Sequence, residues 1–308
     1  MLLKFAIKDF IQDREFKNMS KATITGYKYN LEEFHSYCIR EEIMDTSEVT
    51  GNTIKGYLLY CQKERGNNPK SINHKIINVK AFFNYLTNEL ELYTPKTNPV
   101  VKIKKLEVDI KIEVFTDQQV KQMLSYFAHL KHRDKSFYAM RDSAIIITLI
   151  GTGVRLGELV NLKWNDINFD HNVITVFGKK RMQSSIPMID KLAKELSEYR
   201  LFCERKFKKL PVYVFTTREG KQCSPDSIKG MFKRLSTIMN FKDVRLSCHT
   251  FRHTFAHRCL MAGMDVFSLQ KMLRHTELSM TEKYLALWGT ALKDVNDKYN
   301  PLNKIEIF

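Results

Sequence analysis

Hydrophobic positions recur every three or four residues from about residue 5 to about residue 91, which is the spacing of helices with one buried face. The clearest stripe consists of Thr23, Tyr27, Leu31, Phe34 and Cys38. A second helix is predicted over residues 53–65, where a Gly-Asn-Asn-Pro turn follows, and a third over residues 71–90. The first part of the chain is therefore predicted to be a small all-α bundle.

The helical period stops between residues 93 and 114. This stretch holds Pro95, Pro99 and a lysine-rich run, a composition typical of a linker. Thr116, with Gln119 three positions later, then predicts a capped helix start. We therefore divide the chain into a helical domain over residues 1–93, a linker over residues 94–114 and a second domain over residues 115–308.

The second domain alternates between helical and strand-like patterns. An apolar helix ends near Ile150, and the glycines that follow it permit a tight turn before the next helix. Residues 173–177 alternate in polarity and face residues 185–188 across a Gly178-Lys179-Lys180 turn, which predicts a β-hairpin. Helical spacing is also present in residues 189–206, 227–239, 249–262, 266–273 and 280–287. The predicted fold class is mainly α with a small β-sheet.

The charge balance favours a polyanionic partner. The chain has 50 Lys and Arg against 34 Asp and Glu, a formal net charge of +16. Residues 1–110 carry 17 basic and 14 acidic side chains, whereas residues 111–308 carry 33 and 20. Nucleic acid is the leading candidate for such a basic chain, although a positive balance can also serve solubility alone.

Other compositional features narrow the class of protein. The 6 cysteines form no C-x-x-C pair, so neither a zinc knuckle nor a disulfide framework is indicated, and reduced thiols are expected. No apolar run approaches the roughly 20 residues of a membrane span. The N-terminus has Asp9 and no long apolar region, unlike a signal peptide. We expect a cytoplasmic protein that does not associate with a membrane.

The C-terminal part holds reactive side chains at a defined spacing. His249 lies three positions before Arg252, His275 lies 23 residues after Arg252, and Tyr284 lies nine residues after His275. Paired arginines can neutralise the non-bridging oxygens of a phosphodiester, and histidine can take the proton of a phenol whose ordinary pKa is about 10. The departing 5′ oxygen needs a proton donor, for which lysine or histidine is suited. The set predicts phosphoryl transfer by a tyrosine.

These segments resemble the tyrosine recombinase family, which comprises phage integrases and Xer-type site-specific recombinases. The resemblance covers nearly the whole chain, and it rests on segments such as Thr-Gly-Val-Arg-Leu-Gly-Glu-Leu and His-Thr-Phe-Arg-His-Thr-Phe-Ala. The matched positions are the family's two arginines, its lysine, its two histidine positions and its nucleophile: Arg155, Lys179, His249, Arg252, His275 and Tyr284. One departure is Arg274, which stands where the family commonly has glycine and is expected to alter a helix start or to add a phosphate contact.

Several of these positions have competing interpretations. Lys180 adjoins Lys179 and competes for its role, and Tyr299 is a rival nucleophile that no histidine precedes at the nine-residue spacing. His253 recurs one helical turn after His249, and a zinc site would be conceivable there, but the H-E-x-x-H glutamate is missing. We interpret His253 as a packing or DNA-proximal residue. Glu158 is interpreted as a structural partner that orients an arginine or a turn.

The resemblance implies an N-terminal core-binding domain of the SAM-like type and a mixed α/β catalytic domain, which grip duplex DNA at a specific site. It implies that Tyr284 forms a 3′-phosphotyrosyl bond while Arg155 and Arg252 hold the phosphate. Lys179 would protonate the leaving hydroxyl, His249 would exchange the proton of the tyrosine, and His275 would donate to the phosphate. No cofactor, metal or ATP is expected.

Three functions remain open at this point. The first is recombination, with integration and excision of a mobile element favoured over Xer-type resolution of chromosome or plasmid dimers because of the short basic insertions and the Arg274 departure. The second is DNA relaxation of the type IB topoisomerase kind, and the third is DNA binding without cleavage. Recombination implies a homotetramer on paired sites, in which the tail over about residues 289–308 would dock on a neighbouring subunit.

Overall fold

Chain contacts divide the protein into two units, Met1–Asp109 and Ile110–Phe308. The structure is a computed structural model that describes residues 1–108, 112–134, 136–178 and 183–284. The fold class is the predicted one, since the described residues are mostly helical and include one small sheet. Within these residues, no helix is both long enough and apolar enough to cross a membrane.

The first unit is a helical bundle. Ser20 caps the helix that carries the predicted apolar stripe by accepting a bond from the Thr23 amide, and Asn68 caps the last helix by accepting one from the Ser71 amide. The helices are α1 (Leu3–Phe16), α2 (Lys21–Arg40), α3 (Gly51–Lys63) and α4 (Pro69–Asn88).

The core of the first unit extends into the stretch predicted to be a linker. Val100 and Ile103 are buried together with the apolar faces of the four helices. The side-chain amide of Asn73 on α4 donates to the Leu106 carbonyl and accepts from the Leu106 amide, both at 2.8 Å. The first half of the predicted linker therefore packs on the helical unit, because its apolar residues are needed to complete that core.

The second unit surrounds a three-stranded antiparallel sheet of order β1-β2-β3, with strands β1 (Ile167–Asn168), β2 (Val173–Phe177) and β3 (Gln183–Pro187). Strands β2 and β3 form the predicted hairpin, in which Phe177 pairs with Gln183. Strand β1 was not predicted, because two residues are too few to show alternation. The helices are α5 (Asp117–Asp134), α6 (Phe137–Thr152), α7 (Leu156–Asn161), α8 (Asp190–Phe207), α9 (Pro225–Met239), α10 (Cys248–Met261), α11 (Val266–Leu273) and α12 (Ser279–Glu282).

Helix α6 is the central element of the second unit, where it packs against α5, α8 and α10. Most of its residues are buried, as expected of a helix that is apolar on nearly every side. Because α10 crosses next to α6, the turn that follows α6 lies against the side chains of α10. This packing brings distant parts of the sequence to one place.

Gly153 ends α6 in a left-handed conformation, with φ 59° and ψ 26°. A Cβ atom at this position would lie 2.7 Å from Cδ1 of Phe255 on α10, closer than any ordinary contact. Glycine is required here both by the backbone conformation and by the close approach of α10. Gly157, in contrast, has open space where a Cβ would lie.

We predict that Gly153→Ala lowers the free energy of unfolding by about 1 to 3 kcal/mol, because the substitution adds both left-handed strain and a steric clash. Gly157→Ala is the matched control and should be neutral or stabilising by up to about 1 kcal/mol, since alanine favours helix. Urea unfolding of both variants measures the difference. Equal stability of the two variants would contradict this account of the turn.

Candidate active site

Helix α10 presents three basic side chains on one face, His249, Arg252 and His253. Residues three and four positions apart lie side by side on a helix, and the rings of the two histidines are 6.2 Å apart. Ser247 begins the helix by accepting a hydrogen bond from the Thr250 amide at 3.2 Å. The cap fixes the start of the helix and therefore the direction in which this face points.

Arg252 is buried, with 4% of its surface exposed. Its guanidinium donates to the carbonyl of Gly153 at 2.7 Å and to the carbonyl of Leu273. Burial lowers the pKa of Arg252 to about 9, and the positive charges of Arg155 and Arg274 add to the effect. The side chain is still protonated at neutral pH, and it is held at the junction of two turns.

Arg155 lies in the turn between α6 and α7, with its backbone extended. Its guanidinium donates to Oε1 of Glu158 at 2.7 Å and to the carbonyl of Arg274 at 2.9 Å. The side chain keeps 35% of its surface exposed, so it can still reach a ligand. Since Arg252 donates to the carbonyl of Leu273, the two arginines bind consecutive carbonyls of one turn.

Glu158 acts as the structural partner that the sequence indicates. One carboxylate oxygen accepts from the Arg155 amide at 2.9 Å and from the Arg274 guanidinium at 2.8 Å. Burial would raise the pKa of Glu158, but the charge of Arg274 and the hydrogen bonds from Arg155 outweigh it and hold the pKa below its ordinary value. Glu158 is therefore ionised and ties two arginines together.

Arg274 differs from one of the two expectations drawn from the sequence. It ends α11 in a left-handed conformation instead of starting a helix, and its guanidinium is directed to Glu158 and to the Met272 carbonyl. In the structure this guanidinium forms a buried ion pair with Glu158, and a phosphate contact stays a prediction. The sequence could not reveal this pair, since the two residues are 116 positions apart.

His275 directly follows this turn. Its Nδ1 lies 2.7 Å from the hydroxyl oxygen of Thr281, which is fully buried. Burial lowers the pKa of His275 to about 3, and the charges of Arg252 and Arg155 add to the effect, so the ring is neutral at pH 7. If the threonine hydroxyl donates to Nδ1, then the proton of the neutral ring lies on Nε2, where it can be donated to a phosphate.

Tyr284 is the last residue that the structure describes, and 1% of its surface is exposed. Its hydroxyl lies 2.7 Å from Nδ1 of His253. Burial raises the pKa of the phenol to about 12, although the charges of Arg252 and Arg155 act in the opposite direction. Burial also lowers the pKa of His253 to about 4, so its ring is neutral at pH 7 and can accept a proton.

His253 is thus the one side chain of this cluster whose importance the sequence analysis missed. It was interpreted as a packing or DNA-proximal residue, yet it contacts the hydroxyl of Tyr284 directly. Its position one helical turn after His249, on the same helical face, was the available signal. The assignment of His249 as proton partner of the tyrosine stays a prediction.

Some predicted site residues lie outside the described residues. Lys179 and its neighbour Lys180 are among them, as are Tyr299 and the tail over residues 289–308. In the ranges that the structure describes, no group of three or more His, Cys, Asp or Glu side chains is arranged to hold a metal.

The site therefore brings five of the six predicted residues into one half of the second unit: Arg155, His249, Arg252, His275 and Tyr284. Two guanidiniums next to a buried phenol and neutral imidazoles can neutralise an anionic phosphate while the phenol loses its proton. This is the arrangement that transfer of a phosphodiester to tyrosine requires.

Comparison with known families agrees with this chemistry. The model of the phage integrase family matches residues 113–288, and that of the phage integrase N-terminal SAM-like domain matches residues 7–90. The chain belongs to the phage integrase family, the tyrosine recombinases, which are enzymes that cleave and rejoin DNA.

Individual relatives span nearly the full chain. Tyrosine recombinase XerC of Chlorobaculum parvum is 28% identical, covering 92% of this chain and 90% of the relative. Tyrosine recombinase XerD of Listeria innocua is 27% identical, covering 92% of this chain and 94% of the relative. Among solved structures, XerH bound to a palindromic difH substrate aligns with a TM-score of 0.75 at 16% identity, covering 91% of this chain and 80% of that chain. The Tn1549 transposon integrase in complex with a circular intermediate DNA aligns with a TM-score of 0.74 at 21% identity. The alignment covers 91% of this chain and 94% of that chain.

We predict that His253→Ala slows DNA cleavage by about 100-fold at neutral pH, the scale of a lost general base. The wild-type rate should change little with pH near neutrality, because the accepting form of His253 is present above its pKa of about 4. The variant should become faster as pH rises, because a phenol with a pKa of about 12 must then ionise without help. Single-turnover cleavage across a pH series measures both effects.

His257→Ala is the matched control, because His257 lies one turn further along α10 and is also partly buried. It should keep both the wild-type rate and the flat profile. A His253→Ala variant that cleaves at the wild-type rate, with no dependence of the rate on pH, would contradict this assignment. The general base would then be another residue, with His249 as the first candidate.

Proposed function

We propose that this protein is a site-specific DNA recombinase that cuts and rejoins duplex DNA through a 3′-phosphotyrosyl intermediate. The observation that carries the proposal is the contact between the Tyr284 hydroxyl and a neutral imidazole, beside two arginines that share one turn. The proposed substrate is duplex DNA with a specific site, in the cytoplasm.

In the proposed first step, the Tyr284 oxygen attacks the scissile phosphorus, and its proton passes to His253 or to His249. The new bond joins phosphorus to the phenolic oxygen, and the bond from phosphorus to the 5′ oxygen of the next nucleotide breaks. Lys179 supplies the proton to that 5′ oxygen. The energy of the phosphodiester is kept in the new ester, so a 5′ hydroxyl from another strand can reverse the attack without ATP.

Arg155 and Arg252 are proposed to bind the two non-bridging oxygens, where the guanidinium fork matches phosphate geometry. His275 is proposed to donate its Nε2 proton to the same phosphate. The electrostatics support these roles, because three arginines with a single carboxylate leave an excess of positive charge in a buried place. The negative charge of a phosphate would offset part of this excess.

The biological role that we propose is integration and excision of a mobile element, with resolution of chromosome or plasmid dimers as the alternative. Support is divided: the relatives XerC and XerD favour the alternative, whereas the transposon integrase is among the similar structures. Mapping the cleaved phosphate on genomic DNA separates the two. Cleavage at the ends of a mobile element supports our proposal, and cleavage at one chromosomal site that ends no mobile element supports the alternative.

Wild-type protein is expected to form a covalent adduct on a DNA duplex that carries a nick beside the scissile phosphate, because loss of the short fragment prevents religation. Tyr284→Phe should form none, since it lacks the attacking oxygen. Tyr299→Phe is the matched control and should form the wild-type amount. Denaturing gels detect the adduct, and digestion from each DNA end identifies the strand end that is blocked.

An adduct that persists in Tyr284→Phe and disappears in Tyr299→Phe would overturn the assignment of the nucleophile. The products distinguish the enzyme classes. Joined fragments exchanged between two sites support recombination, whereas relaxed supercoils without exchanged fragments support the type IB topoisomerase alternative.

A further part of the proposal concerns assembly as a homotetramer on paired sites. Helices α5, α6 and α8 border an open groove of about 1300 Å³. Both apolar and charged side chains line it, among them Leu124, Met140, Ile147, Phe202, Lys131, Glu195, Arg205 and Lys206. We propose that the tail over residues 289–308 of a neighbouring copy occupies this groove. Its apolar residues recur at three- and four-residue steps from Leu292 to Leu302, and Asp294 and Asp297 would pair with Arg205 and Lys206 of the groove.

Deletion of residues 290–308 is predicted to abolish assembly on paired sites, because the groove then loses its occupant. Binding to a single site should be kept, since the deleted segment includes none of the proposed phosphate-binding residues. Native gels with one-site and two-site DNA measure the two properties separately. Normal assembly of the shortened protein on two-site DNA would contradict the proposed docking.

A further inference from the structure

Arg274 occupies a backbone position that favours glycine. It has φ 56° and ψ 46° at the end of α11, in the left-handed region where a side chain costs free energy. The same helix end would form more easily with glycine. An arginine here therefore needs a compensating interaction.

The compensation is an ion pair with Glu158 in the interior of the second unit. The Arg274 side chain is 7% exposed and that of Glu158 is 4% exposed, and they meet at 2.8 Å. The Nε atom of Arg274 is buried and has no hydrogen-bond partner among the described residues. Burial of a guanidinium whose Nε has no partner is unfavourable and offsets part of what the ion pair contributes. A gain in folding stability alone therefore does not explain why arginine stands at this position.

The turn that this pair anchors holds the two phosphate-binding arginines. Arg155 donates to the carbonyl of Arg274 itself, and Arg252 donates to the carbonyl of Leu273. His275 is the next residue along the chain. A shift of this turn would therefore move the acceptors of both guanidiniums and the imidazole together.

The pair also changes the charge that Arg155 can offer. Without Arg274, the carboxylate of Glu158 would face Arg155 alone and neutralise it. With Arg274 bound to one oxygen and the Arg155 guanidinium to the other, the three groups carry one net positive charge. Glu158 thereby orients Arg155 without fully neutralising its charge, so Arg155 can still attract an anion.

We propose that Arg274 is a positioning residue that acts through Glu158 to hold Arg155, and the turn that both arginines bind, in the geometry that receives the scissile phosphate. The proposal rests on the proposed recombinase function of the same site. In the structure, the Arg274 guanidinium donates to Glu158 and to the Met272 carbonyl.

Arg274→Gly separates positioning from folding. Glycine relieves the left-handed strain, so the thermal unfolding midpoint should stay close to that of the wild type. Single-turnover cleavage at saturating protein should nevertheless slow by about 10- to 100-fold, the effect of misplacing a catalytic group by a fraction of an ångström to an ångström. Affinity for the DNA site should be nearly unchanged. Lys271→Ala, which removes an exposed charge from the same helix, is the matched control and should cleave at the wild-type rate.

The path through Glu158 is tested by combining substitutions. Glu158→Gln should also slow cleavage, and the double variant Glu158→Gln with Arg274→Gly should be no slower than the slower single variant. Losses that multiply in the double variant would show that the two residues act independently. Wild-type cleavage by Arg274→Gly would equally overturn the proposal.

A readout that needs no cleavage distinguishes failure of this inference from failure of the proposed function. In the DNA-free protein, the NMR signals of the Arg155 guanidinium should shift in Arg274→Gly, because Glu158 then faces Arg155 alone and the turn that accepts from Arg155 moves. Unchanged Arg155 signals in the variant would refute the positioning role even if the wild type cleaves DNA. Absence of any adduct with the wild type would instead count against the recombinase function, whatever the NMR result.

Discussion

The turn formed by Leu273 and Arg274 is the constraint on which the rest of the site depends. Its two consecutive carbonyls accept hydrogen bonds from Arg252 on α10 and from Arg155 before α7, and the next residue is His275. Three segments that are far apart in the sequence are thereby fixed to one another. Buried carbonyl groups need partners, and guanidinium groups supply them, so the hydrogen bonds that satisfy the backbone also place the cations. The close packing of α10 on Gly153 completes the arrangement, because Arg252 donates to the carbonyl of that residue as well.

The electrostatics of the DNA-free site follow from this geometry. Burial lowers the pKa values of Arg252 and Arg274, and the charge of Arg155 lowers them further. The single carboxylate of Glu158 balances only part of the positive charge. The two imidazoles near them are neutral, and the phenol of Tyr284 keeps its proton. An anion entering this site would offset part of the positive charge, while the charges of Arg252 and Arg155 favour ionisation of the phenol. Groups placed in advance of the reaction are the main source of electrostatic catalysis in enzymes, and this site has that property.

Much of this could be predicted from the sequence. The apolar stripe from Thr23 to Cys38 indicated a helix because helical spacing repeats locally, and the alternation over residues 173–177 indicated a strand for the same reason. The spacing of Arg252, His275 and Tyr284 indicated the chemistry. The contact of His253 with Tyr284 and the pairing of Arg274 with Glu158 were not predicted, because each depends on the crossing of elements that are distant in the sequence. Strand β1 was missed because two residues are too few to show alternation. The packing of Val100 and Ile103 on the first unit was missed because tertiary burial, not local period, determines it.

The central claim is that two guanidiniums placed by one turn receive the same phosphate. A crystal structure of the Tyr284→Phe variant bound to its cleavage site tests it most directly. The account predicts that the side chains of Arg155 and Arg252 both lie within about 3 Å of non-bridging oxygens of a single phosphate, next to the ring at position 284. A scissile phosphate that contacts neither arginine, while both still donate only to the carbonyls of Gly153, Leu273 and Arg274, would contradict it.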